Sequence, residues 1–143
     1  MLIQDRDAAR RFFFQVWHKY RTQATGLEPL ETLVVGVILE HPEYHPYLEN
    51  EEDAVNREFQ PESGRTNPFL HMGMHIAIKE QVGSDRPAGI STLYRELLQA
   101  GSRDAHGVEH DMMECLGVVL WQAQRDNTLP DERAYLECLK RLK

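Results

Sequence analysis

Apolar residues return at intervals of three and four along this chain, and nowhere do they alternate long enough to make a half-buried strand. That rhythm, cut into short stretches by prolines and glycines, limits the fold more than any other property. A stripe at i, i+3 and i+4 has to be buried against another such stripe. The expected class is therefore all-α, an irregular bundle of five or six helices. At 143 residues the chain fits one helical domain spanning 1–143.

The breakers set the segments. A first helix is expected from near Asp5 to about Arg21, with Phe13, Val16, Trp17 and Tyr20 on one face and Gln23-Ala24-Thr25-Gly26 as its end. Pro29 suits a first helical position and opens a second, where Leu30, Leu33, Val34, Val37, Ile38 and His41 form a buried stripe. Pro42 should stop or kink it. Residues 42–66 read as a short helical piece within a long, solvated connection. Asn67-Pro68 signals a third helix, Phe69 to about Val82. A fourth spans about Gly89 to Ala100, with Ile90, Leu93, Tyr94, Leu97 and Leu98 as its apolar positions. A fifth, about Asp104 to Arg125, places Met113, Leu116, Leu120 and Trp121 at core spacing, and Asp131 caps a short last helix.

Six of the seven histidines fall into H-x-x-x-H pairs: His41/His45, His71/His75 and His106/His110. Random scattering of seven histidines over 143 positions would give about 0.3 such pairs. The spacing carries chemistry, because residues four apart on a helix share a face and two imidazoles can converge on one cation. His71 and His75 sit one turn apart in the third helix. His106 and His110 open the fifth, and Glu114 continues their face by another turn. Imidazole with carboxylate suits Zn, Fe or Mn. The expected metal ligands are His71, His75, His106, His110 and Glu114. His41 and His45 stand close by in sequence, in a His-Pro-Glu-Tyr-His turn that supplies ligands or orients them.

His106-Gly107-Val108-Glu109-His110 is also H-x-x-E-H, the inverted zincin pattern, which makes Glu109 the one candidate catalytic base. The large α/β context of those proteases is missing, so the motif does not establish an enzyme. Met72 and Met74 lie between the two histidines of the third helix, but positions two apart point about 200° apart, and core packing is the better account of them. No P-loop, G-x-G-x-x-G or G-x-S-x-G occurs, so no nucleotide or organic cofactor is indicated. The competing reading is a metal-free protein-interaction module, its histidines forming a buried polar network and its partner another protein or a second copy.

Charge removes further classes. Lys plus Arg number 16 against 23 for Asp plus Glu, a net −7, which argues against nucleic acid as the partner. The longest apolar run, Leu33 to Leu39, is too short to span a bilayer. Acidic residues at the amino terminus do not suit a signal peptide, so the cytoplasm is the expected compartment. Cys115 and Cys138 are accordingly expected as reduced, buried thiols.

The stretches HPEYH, NPFLHMGMH and EHDMMECLGVVLWQAQR, together with RRFFFQVW and AYLECLKRL, resemble a family of small bacterial proteins known as domain of unknown function 1841. The resemblance covers nearly the whole chain. It implies a small, soluble, cytoplasmic helical protein and brings no activity with it.

Overall fold

The computed structural model describes residues 6–22, 26–49, 67–101 and 103–143. Among them the protein is all helical, with six α-helices, one 3-10 helix and no strand. The five or six helices expected become seven, because the short piece after Pro42 closes into a 3-10 helix of its own. Asp5, residues 23–25 and most of the 42–66 connection lie outside the described residues. The chain forms two compact units, 1–76 and 77–143.

In the first unit, α1 (Arg6–Thr22) packs on α2 (Pro29–Leu39). Phe13, Val16 and Trp17 meet Val34, Val37 and Ile38, and Phe69, Met72 and Ile76 join the same apolar cluster. Burial of each such side chain stabilises by about 1.5–3 kcal/mol. Phe13 and Phe69 meet edge to face with centroids 5.8 Å apart. Tyr20 keeps the face it was expected to share, stacking on Trp17 with ring centroids 5.7 Å apart, and is itself exposed. Pro29 takes the opening position foreseen for it, and the Glu31 carboxylate reaches back to accept the Glu28 backbone N–H at 2.8 Å. Lys19 of α1 donates to that carboxylate at 2.9 Å, which ties the two helices together. The Lys19 hydrogen bond, then that of the Glu28 amide, holds the Glu31 carboxyl below its usual pKa.

Helix α2 stops where it does because His41 precedes Pro42. The proline ring disfavours helical geometry at that position, and His41 adopts φ −128°, ψ 65°. The 3-10 helix Pro42–Leu48 follows at once. Helix α3 (Pro68–Ser84) starts at the expected cap: Asn67 Oδ1 accepts the backbone N–H groups of Phe69 at 3.0 Å and Leu70 at 3.2 Å.

The second unit holds the last turns of α3, then α4 (Ile90–Gln99), α5 (Ala105–Asp126) and α6 (Glu132–Lys140). Ile90, Leu93 and Leu97 of α4, Met112, Leu116 and Val119 of α5, and Tyr135 and Leu139 of α6 are buried. Gly89 enters α4 at φ +100°, a region open to glycine. Just before it, Asp85 Oδ1 accepts from the backbone of Gly89 at 3.1 Å and Ser91 at 3.0 Å. Asp104 and Asp131 cap α5 and α6 as expected, accepting from Gly107 at 2.8 Å and Ala134 at 3.0 Å. Tyr135 donates its hydroxyl to Gln81 at 2.6 Å, and its burial pushes the phenol pKa well up.

Two expectations fail in this unit. Trp121 is 59% exposed rather than in the core, with the Arg125 guanidinium 4.8 Å above its ring. The buried stripe of α5 runs through Met112, Leu116, Val119 and Ala123, and Trp121 lies about 140° around the helix from Leu116. Cys115 and Cys138 are not free thiols: they form a disulfide between α5 and α6, with Cα atoms 5.8 Å apart. Nothing in the local sequence around either cysteine reveals that the two helices bring them together.

No helix among the described residues is long and apolar enough to cross a membrane.

Candidate metal centre

Three histidines converge in the first unit. His41 leaves the end of α2, and His71 and His75 project from one face of α3, one turn apart. One ring nitrogen of each lies within 4.8 Å of the others. His75 is fully buried, His41 is 2% exposed and His71 is half-buried. The Nε2 atoms of His71 and His75 are 3.3 Å apart. The three rings meet at centroid distances of 4.8–5.1 Å: His41 to His75 at 4.8 Å, His71 to His75 at 4.9 Å, and His41 to His71 at 5.1 Å.

Backbone geometry accounts for the position of His41. With the helix ended at Leu39, its side chain folds back so that Nδ1 lies 2.8 Å from the Val37 carbonyl oxygen. A carbonyl only accepts, so Nδ1 carries the proton and donates it. In the neutral ring Nε2 then keeps the lone pair, the arrangement a histidine ligand needs. The stack of Tyr44 on His41, with centroids 5.4 Å apart and planes 7° from parallel, holds the ring in place. Burial, then the charge of Glu43, raises the Tyr44 phenol pKa, so the hydroxyl stays protonated at neutral pH. Sequence reasoning missed Tyr44, although its position between the two histidines of His-Pro-Glu-Tyr-His was visible.

His45 points elsewhere. Its Nε2 donates to the Ile38 carbonyl at 2.9 Å, and its ring lies 4.7 Å from that of Trp17. It fastens the 3-10 helix onto α2 and α1 and does not join the three converging rings. Of the two histidines of this turn, His41 lies with His71 and His75, and His45 lies against Ile38 and Trp17.

In the second unit, His106 and His110 face each other across the first turns of α5, with centroids 4.5 Å apart, and both are half-buried. Glu114 is exposed one turn further on. Glu109, the candidate base of the H-x-x-E-H pattern, is 3% exposed, and its Oε2 accepts from Lys79 Nζ at 2.9 Å. An ammonium faces this carboxylate, which sets it apart from a base open to substrate. The pairing links residues 30 apart and leaves no local sequence signal.

A family model described as "Domain of unknown function (DUF1841)" matches residues 5–141. No curated protein and no solved structure matches the chain.

Proposed function

For this chain, which belongs to the DUF1841 family, we propose that the first unit binds a transition-metal ion through His41, His71 and His75. The observation that carries the reading is the 3.3 Å separation of the His71 and His75 Nε2 atoms. Two nitrogens about 2.0–2.1 Å from a tetrahedral zinc ion stand roughly 3.3 Å from one another. The donors are imidazoles without a carboxylate among them, which favours Zn or Fe over Mn. His41 enters with its tautomer already set by Val37, and His45 and Tyr44 orient the turn that carries it. A zinc ion with an open position there would supply Lewis-acid chemistry, lowering the pKa of a bound water.

Within the second unit taken by itself, the improbability of three histidine pairs makes His106 and His110, with Glu114 one turn further on the same helix, a separate set of proposed donors.

One observation favours a second reading. A separation of 3.3 Å is also within the range of an imidazole–imidazole hydrogen bond, so the three rings can form a polar network with no ion. The protein would then be an interaction module, its net charge of −7 suiting a basic protein partner.

Calorimetric titration of chelator-treated, tag-free protein with zinc separates the two. Metal binding predicts a saturable site in the wild type and a fall in affinity of more than about a hundredfold in His71→Ala/His75→Ala. A flat titration of folded wild-type protein favours the network. Titration of His106→Ala/His110→Ala, read against the same wild type, shows whether that pair contributes.

A further inference from the structure

The Cys115–Cys138 disulfide joins α5 to α6. Helix α6 is short. It is seated by buried Tyr135 and Leu139, by the Tyr135–Gln81 hydrogen bond, and by this one covalent link to α5. The two cysteines differ in burial: Cys115 is 2% exposed, whereas Cys138 is half-buried. The cysteines are 23 residues apart, which is not the Cys-x-x-Cys spacing of a catalytic dithiol. Neither sits at a helix N-terminus, where the dipole would stabilise a thiolate. The pair is built to hold, and to be opened from one side.

We propose that Cys115–Cys138 is a redox-sensitive latch: oxidised, it clamps α6 to α5, and reduced, it leaves α6 seated by its buried face and the Tyr135–Gln81 hydrogen bond. The chemistry is ordinary thiol–disulfide exchange with a small-molecule thiol such as glutathione. The thiolate of the reductant attacks Sγ of Cys138, the less buried of the two cysteines. The S–S bond breaks, and Cys115 leaves as a thiolate that takes up a proton. A second reductant thiolate attacks the reductant's own sulfur in the mixed disulfide, forming the small-molecule disulfide and releasing Cys138, which is protonated in turn. Two electrons and two protons enter the protein, and two reductant thiols leave as one disulfide. Closure is the reverse, with the small-molecule disulfide as oxidant. A reducing compartment holds such bonds open, so the latch would respond to a shift toward oxidising conditions.

The test uses the full chain equilibrated with oxidised or reduced glutathione, then challenged with trypsin and, separately, melted. Alkylation of denatured protein followed by mass mapping should find Cys115 and Cys138 linked after oxidation and both alkylated after reduction. Reduction should lower the melting midpoint by about 10 °C. It should also speed cleavage after Arg133 and Lys140 severalfold, while cleavage after Arg125, the one trypsin site in α5, keeps its rate. Cys138→Ser, and Cys115→Ala as a second variant, should behave like reduced wild type in both buffers. Two free thiols at oxidising equilibrium would overturn the latch. So would equal protease sensitivity and equal midpoints for the linked and reduced forms.

Discussion

His41 acquires its role from its neighbour. Any residue before Pro42 is turned out of helical geometry, and here that turn folds the imidazole back onto the Val37 carbonyl. Replacing Pro42 with alanine removes the restriction and lets α2 run on. The expected result of Pro42→Ala is a folded protein with about tenfold weaker zinc binding, measured by the same calorimetry. Unchanged affinity would mean that the proline does not position the ring. Asp85 offers a separate test, away from the histidines. Hydrogen bonds from Ser91 first, then Gly89, hold its carboxyl below the usual pKa. A carboxyl depressed in the folded state stabilises above its unfolded pKa, and that contribution is lost as pH falls through the folded value. Stability of the wild type, followed by urea midpoint, should therefore decline as pH drops below about 4, and Asp85→Asn should show a shallower decline over that window. Parallel curves would contradict the assignment.

Helix starts were legible at the level of elements because the chemistry that makes them is local. Pro29, Asn67, Asp104 and Asp131 each open a helix within a residue or two of where the sequence places it. An N-cap carboxylate or amide satisfies backbone donors no more than three residues away. Asp104→Ala should accordingly cost about 1 kcal/mol by chemical denaturation. Gly36 lies within α2 with nothing within 4 Å of where a Cβ would stand. Gly36→Ala should stabilise by up to about 1 kcal/mol, since glycine is the weaker helix former. What periodicity could not supply was the outward face of α5. Leu120 and Trp121 are adjacent, and a rule based on spacing admits either to the stripe. Packing chose a stripe through Leu116 and Val119 and turned Trp121 out under Arg125.

Over the whole molecule, the all-α class and the pairing of the histidines could be read from the sequence. Which members converge could not. His71 and His75 meet because i, i+4 geometry brings them together on one helix. His41 reaches them only because α2, the proline turn and α3 are placed by the apolar cluster of Phe13, Val34, Ile38, Phe69 and Met72. That assembly is long-range, as are the Lys79–Glu109 ion pair and the Cys115–Cys138 bond, and no local pattern encodes it. A bound ion would join α2 to α3 and so stabilise the folded state by mass action. The most direct measurement is the metal content of protein purified without a histidine tag, paired with its melting midpoint before and after chelation. The account predicts near-stoichiometric zinc or iron, a midpoint that falls on chelation and recovers on adding the ion, and loss of both effects in His71→Ala/His75→Ala. Protein with only trace metal, and no midpoint shift on adding zinc or iron, would contradict it.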